Sequence, residues 1–192
     1  MKKGIIVIIV IVLLGMLGCG KYNGLVKQEE TVKNKWGVVQ SSYQRRADLI
    51  PNLVNTVKGA ANFETTTLTK VMEARASATQ IKVDVNDLSP EKIQQYQAAQ
   101  GQLSQALGRL LAVSEQYPEL KANQSFLTLQ SQLEGTENRI NVARNDFNDA
   151  VNGYNSNVRS FPTNLIAGIT GFKQKGYFEA QAGAEKAPEV KF

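Results

Sequence analysis

The sequence predicts an all-α protein, built as a long antiparallel up-and-down bundle of three helical arms. The main observation is that apolar residues recur at steps of three and four along three long stretches, which we call the apolar seam. This is the spacing of helices that pack side by side. Composition agrees, because 42% of the 192 residues are hydrophobic, only 7% are aromatic and five are proline, which suits helices better than a sheet sandwich.

Residues 1–20 predict a signal sequence or membrane anchor. Lys2 and Lys3 precede an almost unbroken run of Ile, Val and Leu over residues 4–17, the order of a charged and then an apolar region. A helix from residue 4 to residue 20 would be roughly 25 Å long, which is short for crossing a hydrocarbon core of about 30 Å. The lysines predict that the N-terminus stays inside and the domain lies outside.

Two ways of anchoring stay open. Residues 16–19 resemble a bacterial lipoprotein signal, in which cleavage after Gly18 leaves Cys19 as a lipidated N-terminus carrying two acyl chains. The alternative is an uncleaved signal anchor, with Cys19 as a bystander at the membrane face. Two acyl chains would hold the domain to a bilayer almost as firmly as a spanning helix would, so we expect membrane attachment in both cases.

The first predicted arm runs from residue 22 to about residue 80 and contains Pro51. A proline inside a helix removes one hydrogen bond and clashes with the carbonyl four residues back, here that of Ala47, which costs ~3 kcal/mol or more. The apolar spacing keeps its phase across Pro51, so we expect a kink near residues 48–51 within one arm. A break into two separate helices is the alternative. The apolar positions are Leu25, Val32, Trp36, Val39, Tyr43, Ile50, Val54, Val57, Ala61, Leu68, Val71 and Ala78.

Two further arms follow a connection at residues 81–88. Residues 89–91, Ser-Pro-Glu, have the order of a helix start: a capping hydroxyl, a proline and an acid. Residues 117–118 stop this second arm, in which residues 94–105 form a glutamine-rich solvated face, and Asn123 caps a third arm that ends at Pro162. The apolar positions are Ile93, Tyr96, Leu103, Leu107, Leu110 and Leu111, then Phe126, Leu129, Leu133, Ile140, Phe147, Val151, Tyr154, Val158 and Phe161.

Residues 163–192 predict a short helical turn followed by an extended tail. The tail ends in Val190, a lysine and Phe192, with a free carboxylate. PDZ-type domains bind such ends by adding the tail as a strand and burying the last side chain. The alternative is that Tyr177, Phe178, Val190 and Phe192 pack onto the bundle.

Charged residues lie on or beside the apolar seam. Glu64 and Arg75 share its phase, and Arg144 lies one place from a core position. Removing one member of a buried ion pair typically costs ~3–5 kcal/mol, so we expect paired charges that fix helix register. A polar groove beside Pro51 that docks a partner and an acid–base site are the alternatives. The full set is Arg45, Arg46, Asp48, Glu64, Arg75, Glu137, Arg139, Arg144 and Asp146.

Six asparagines form a series along the third arm. Steps of three and four place them on one helix face, which predicts a solvated or interhelical hydrogen-bonding stripe. A ligand ladder, or a calcium site with Asp146, is the alternative, although the clustered carboxylates that calcium prefers are missing. The series is Asn138, Asn141, Asn145, Asn148, Asn152 and Asn155.

Composition excludes several function classes. The chain has no histidine, which removes the commonest general base and the commonest metal ligand. Its single cysteine excludes an intrachain disulfide and a cysteine-based zinc site. The 22 basic and 17 acidic residues are too balanced for a nucleic-acid binder. We therefore predict no catalytic residue, no cofactor, no metal and no nucleic-acid partner.

Short motifs are spread over nearly the whole chain. They include KYNGLV at residues 21–26, QRRADLIPNLV at 44–54, DFN at 146–148 and VKF at 190–192. With these motifs the chain resembles the LemA family of bacterial membrane-anchored helical proteins. The resemblance implies an N-terminally anchored antiparallel bundle without established enzymatic activity, sometimes linked to envelope proteases and displayed surface proteins. Cys19 departs from the plain anchor usual in that family.

We therefore expect a membrane-tethered, non-enzymatic scaffold or adaptor of the bacterial cell envelope. Residues 1–20 would be the anchor, 21–162 the helical bundle and 163–192 a helical turn and tail. An envelope protease or a PDZ-type protein that binds Val190 and Phe192 is the expected partner. An envelope enzyme with a carboxylate and arginine site, and a purely structural surface lipoprotein, are the alternatives.

Overall fold

A computed structural model describes residues 2–59 and 64–180 and shows an all-α protein, which confirms the predicted class. Helices α1 (Lys2–Lys58) and α5 (Gln124–Arg159) pack antiparallel, and α2 (Thr65–Gln80) and α3 (Pro90–Ser114) form a second pair. Ion pairs from Lys35 to Asp146 and from Arg46 to Glu137 mark the opposite directions of α1 and α5. The helices are α1 (Lys2–Lys58), α2 (Thr65–Gln80), α3 (Pro90–Ser114), α4 (Pro118–Lys121), α5 (Gln124–Arg159) and α6 (Thr163–Thr170).

Helix α1 continues through Pro51, so the alternative of two helices broken at the proline is wrong. The carbonyl of Ala47 cannot receive its usual helical bond, because residue 51 has no N–H. The side chain of Arg75, on α2, donates from Nε to this carbonyl at 2.8 Å. A side chain on a neighbouring helix thus replaces the missing backbone donor.

The first arm is shorter than predicted. Helix α1 ends at Lys58 and α2 begins only at Thr65, so the expectation of one arm reaching residue 80 is wrong. In one continuous helix Ala47 and Arg75 would be roughly 42 Å apart, and their hydrogen bond therefore requires α2 to fold back along α1. The apolar spacing did not reveal this reversal, because both helices present their seams to the same core.

The apolar seam forms two adjoining core clusters. One surrounds Trp36, whose ring lies 5.2–6.0 Å from the rings of Tyr96, Phe147 and Phe178. The other is largely aliphatic and packs residues 50–57, at the end of α1, against α2, α3 and the first half of α5. The prediction that Phe161 belongs to the apolar seam is wrong. Its side chain is 81% exposed, because α5 ends at Arg159, two residues earlier.

The predicted helix ends agree with the structure in most details. Asn123 accepts hydrogen bonds from the backbone N–H groups of Ser125 and Phe126 at 2.9 and 3.2 Å, so its role as a cap is confirmed. Helix α3 begins at Pro90 after Ser89 as predicted, but the hydroxyl of Ser89 makes no capping hydrogen bond, so that part of the prediction is wrong. The short helix near the start of the tail is confirmed as α6, which is eight residues long.

Membrane features fall largely outside what the structure describes. Among the described residues, no helix is both long and apolar enough to cross a membrane. For most residues of the apolar run 4–17 the structure describes the helix but not the side chains. Val190 and Phe192 lie outside the described residues altogether. Cys19 is exposed on α1.

We predict that Arg75→Met lowers the free energy of unfolding by ~1–3 kcal/mol, because the carbonyl of Ala47 is left without its donor. In a Pro51→Ala background the loss should shrink, since residue 51 then carries an N–H for that carbonyl. Urea unfolding of the detergent-solubilised full chain measures this double-mutant cycle, with Lys70→Met, exposed on α2, as the matched control. Equal losses in both backgrounds would contradict the proposed bond replacement.

Candidate functional site

The C-terminal strap, residues 172–180, is an extended segment that runs along the bundle after α6. Asn155 and Asn148 bind its backbone at Lys175 and Phe178. These asparagines are two turns apart on α5, roughly 10.5 Å along the helix axis. The strap covers that distance in three residues, roughly 3.5 Å for each, which is the reach of fully extended backbone. The prediction of an extended tail is therefore confirmed for the described part of it.

Asparagine side chains pair with the strap as a neighbouring strand would. Nδ2 of Asn155 donates to the carbonyl of Lys175 at 2.8 Å, and the N–H of Lys175 donates back to Oδ1 at 2.9 Å. Asn148 and Phe178 make the same two bonds, again at 2.8 and 2.9 Å. An extended segment with no sheet around it thereby satisfies backbone groups that would otherwise lack partners.

The outer end of the strap is held by α3 and α5 together. Gln97, on α3, makes a third two-point pair with the backbone of Glu179, at 2.9 and 3.0 Å. Arg144, on α5, donates to the carbonyl of Glu179 at 2.8 Å. Its guanidinium carbon also lies 4.9 Å from the centre of the Phe178 ring, a cation–π arrangement.

Two further contacts fix the middle of the strap. The N–H of Gly176 donates to the carbonyl of Leu88 at 2.8 Å, and a Cβ at Gly176 would lie only 2.6 Å from Cα of Pro90. Only glycine allows so close an approach to the start of α3. The ammonium group of Lys175, which is 8% exposed, pairs with Glu29 on α1 at 2.8 Å.

The strap ends in a polar groove between α3 and α5, which has a volume of about 460 Å³. Arg46, Glu137, Arg144 and Gln97 are among the residues that line it, with Ala180 at its edge. Within the described residues, no cluster of three or more cysteine, aspartate or glutamate side chains could hold a metal ion. The groove is lined by arginine and amide groups together with two glutamates, Glu137 and Glu179.

Arg46 is the buried charge beneath the polar groove and is only 2% exposed. Its Nη1 donates to Ser104 at 2.8 Å and to Glu137 at 2.9 Å. Its Nη2 donates to the carbonyl and to Oε1 of Gln100 at 3.2 and 2.7 Å. The guanidinium lies 4.9 Å from the centre of the Tyr43 ring. Arg46 thereby ties α1 to both α3 and α5.

Burial also acts on the tyrosines beside Arg46. Burial raises the pKa of Tyr43, while the positive charges of Arg144 and Arg46 act against that rise. Burial likewise raises the pKa of Tyr96. Both phenols therefore stay protonated at neutral pH and act as neutral packing and hydrogen-bonding groups.

The structure brings together only part of the predicted charged set. Arg46 pairs with Glu137 at 2.9 Å, as expected for a charge that fixes helix register, and Arg144 lines the same groove. Asp146 pairs instead with Lys35, at 2.7 Å. Arg75 binds a backbone carbonyl rather than a carboxylate. Four other residues of the predicted charged set are exposed: Arg45, Asp48, Glu64 and Arg139.

The prediction that Glu64 lies on the apolar seam is wrong. It precedes the first residue of α2 and is exposed, where its carboxylate accepts a hydrogen bond from Thr67 at 3.1 Å. Its phase in the sequence was that of the core, but α1 has already ended at Lys58. The phase holds within α2, where Leu68 and Val71 are buried, but Glu64 lies before the first residue of that helix and forms no buried pair.

Sequence reasoning singled out Arg144, Asn148 and Asn155 but missed that their partner is the strap. The glutamine face of α3 was expected to be solvated, yet Gln100 is buried against Arg46 and Gln97 binds the strap. The asparagine series was expected to make a hydrogen-bonding stripe, but the structure gives Asn148 and Asn155 a partner in the tail. A usable signal was their seven-residue spacing, since it places two amides in line on one helix face.

Sequence comparisons relate this chain to known proteins. The LemA family profile matches residues 35–192. Protein LemA of Metamycoplasma hominis is 25% identical over 148 residues, which cover 77% of this chain and 64% of the relative. Magnetosome protein MamQ 2 of Paramagnetospirillum magneticum and magnetosome protein MamQ of Magnetospirillum gryphiswaldense are each 28% identical, over 86% and 85% of this chain and 67% and 66% of their own lengths. The chain thus spans about two thirds of the length of these relatives.

We predict that Gly176→Ala detaches the strap, because the added methyl group would overlap Cα of Pro90. Trypsin should then cut faster after Lys175, which is buried in the native protein, while the helical circular dichroism stays unchanged. Gly153→Ala on α5, where a Cβ would meet nothing within 4 Å, is the matched control. Cleavage of the Gly176 variant at the rate of the control would contradict the tight approach to Pro90.

Proposed function

The chain belongs to the LemA family, and from this premise and the strap geometry we propose that it is a membrane-tethered, non-enzymatic scaffold or adaptor of the bacterial cell envelope. The observation that carries the proposal is that the chain holds its own C-terminal strap to the bundle through residue Glu179. A tether at one end and a presented tail at another place suit a protein that brings a partner to a membrane.

The proposed tether lies at the N-terminal end of α1. The apolar run over residues 4–17, with Lys2 and Lys3 before it, supports membrane attachment and an extracytoplasmic domain. Cys19 is exposed, so an acyl group attached there would meet no obstacle from the bundle. Mass spectrometry of the purified chain separates the two anchoring modes, since a lipidated Cys19 begins the mature protein whereas an uncleaved anchor retains Met1.

The strap ends far from the proposed tether, and the rest of the tail begins there. Ala180 lines the same groove as Tyr43, and Tyr43 is roughly 36 Å along α1 from Cys19 at about 1.5 Å per residue. The rest of the tail, ending in Val190 and Phe192, therefore starts well away from the anchoring point. A PDZ-type domain of an envelope protease, or of its regulator, would have room to bind that end above the bilayer.

A scaffold also fits the way the charged residues of the groove are used. Arg46 directs its hydrogen bonds to Ser104, Gln100 and Glu137. Arg144 is engaged by the backbone of Glu179. These groups hold parts of the chain together, which favours a structural role over acid–base chemistry.

We predict that deletion of residues 190–192 abolishes capture of the partner when the full chain is crosslinked in native membranes and purified. Adding one glycine after Phe192 should have the same effect, because it moves the carboxylate away from the last apolar side chain. Lys186→Ala, in the same tail, is the matched control and should retain the partner. The melting temperature should not change in any of the three variants.

Three outcomes would contradict the adaptor proposal. Capture that is unaffected by the deletion would mean that the tail is not what the partner recognises. Recovery of nothing but copies of this chain would favour a purely structural protein instead. A large fall in melting temperature on deletion would show that the end of the tail packs onto the bundle.

A further inference from the structure

An apolar patch surrounds α6 at the end of the bundle nearest the proposed tether. Ile169 is 87% exposed and Leu165 is 58% exposed, although both are large aliphatic residues on an eight-residue helix. Phe161, just before α6, is also largely exposed. Single exposed apolar residues are common in soluble proteins, but a contiguous group of this kind indicates an interaction site.

The patch continues onto α1. Helix α6 packs beside α1, and Tyr22 lies 5.6 Å from Phe172 between ring centres. Between the two helices is a cleft of about 440 Å³, lined by Gly18, Cys19, Tyr22, Ile166 and Ile169 among others. Met16, which belongs to the apolar run 4–17, also has an exposed side chain and extends the apolar surface along α1.

The two segments that form the patch carry charge of one sign. Residues 15–23 and 159–173 contain three basic residues, Lys21, Arg159 and Lys173, and no acidic residue. All three are exposed. Elsewhere the chain mixes the two signs, with 17 acidic residues in total. Basic groups at the rim of an apolar surface match the headgroups of anionic phospholipids.

We propose that this patch is a second membrane contact, in which α6 and the adjoining face of α1 dock into a bilayer that contains anionic phospholipids. The inference rests on the proposed tether, because α1 brings the patch to the bilayer. A lipid surface fits better than a second copy of this chain, since two copies would bring three basic residues against three basic residues with no acid to pair them.

The second contact would give the bundle a direction. One tether leaves a rigid bundle free to tilt, whereas α6 docked beside it holds the long axis of α1 and α5 at a defined angle to the bilayer. The strap follows α6 directly in the chain, so its path toward the polar groove would be defined in the same way. The position at which the tail is presented would then be set by the membrane itself.

The experiment reconstitutes the full chain in phosphatidylcholine vesicles with and without phosphatidylglycerol, using lipids brominated on the upper acyl carbons. Ile169→Trp places a fluorophore on the patch, and Val142→Trp is the control. Val142 is 62% exposed on α5, roughly 25 Å along the helix from Arg159. Native Trp36 is fully buried and contributes the same background to both variants.

We expect the position-169 emission to shift to shorter wavelength and to be quenched by the brominated lipid, more strongly with phosphatidylglycerol, while the position-142 emission is not quenched. A chain that floats with the vesicles but is unquenched at 169 would overturn the second contact and leave the tether intact. A blue shift without quenching would mean that protein covers the patch and would also overturn it. A chain that fails to float would overturn the tether and the contact together.

Discussion

Backbone polar groups that leave regular secondary structure need partners, and in this protein side chains from other helices supply them. The carbonyl of Ala47, deprived of its donor by Pro51, is bound by Arg75. The strap, which has no neighbouring strand, is bound at both N–H and C=O by Asn148 and Asn155. An unpaired buried backbone group costs ~1–3 kcal/mol, so a proline in α1 and an extended segment on a helical bundle are both tolerable only because these side chains are present.

Arg46 fixes the relative positions of the helices that carry those side chains. It lies between the aromatic cluster around Trp36 and the aliphatic cluster beyond it, and its hydrogen bonds reach α3 and α5 at once. Uniform three-and-four spacing would allow neighbouring helices to slip by a turn, whereas a buried cation requires its partners at one height. The register that Arg46 favours also brings Gln97 and Arg144 to the two sides of the strap.

Features that depend on local periodicity could be predicted from the sequence, whereas features that depend on where the chain reverses direction could not. Class, most core positions, the Asn123 cap and the helix start at Pro90 follow from spacing and capping chemistry. The reversal after Lys58 could not be found in this way, because two antiparallel helices facing one core show the same spacing as one long helix. The role of Gln97 was also out of reach: an amide on a polar helix face is identical in sequence whether it faces water or a strap 82 residues later in the chain.

The strap is a fixed part of the bundle, and the tail is presented from it. Hydrogen exchange of the backbone amides of Lys175, Phe178 and Glu179, in the full chain on vesicles, tests this directly. We expect protection similar to that of amides in the neighbouring turns of α5, because each N–H is bound by a side-chain carbonyl. Exchange at the rate of an unstructured peptide would show that the strap is not fixed and would remove the basis for a presented tail.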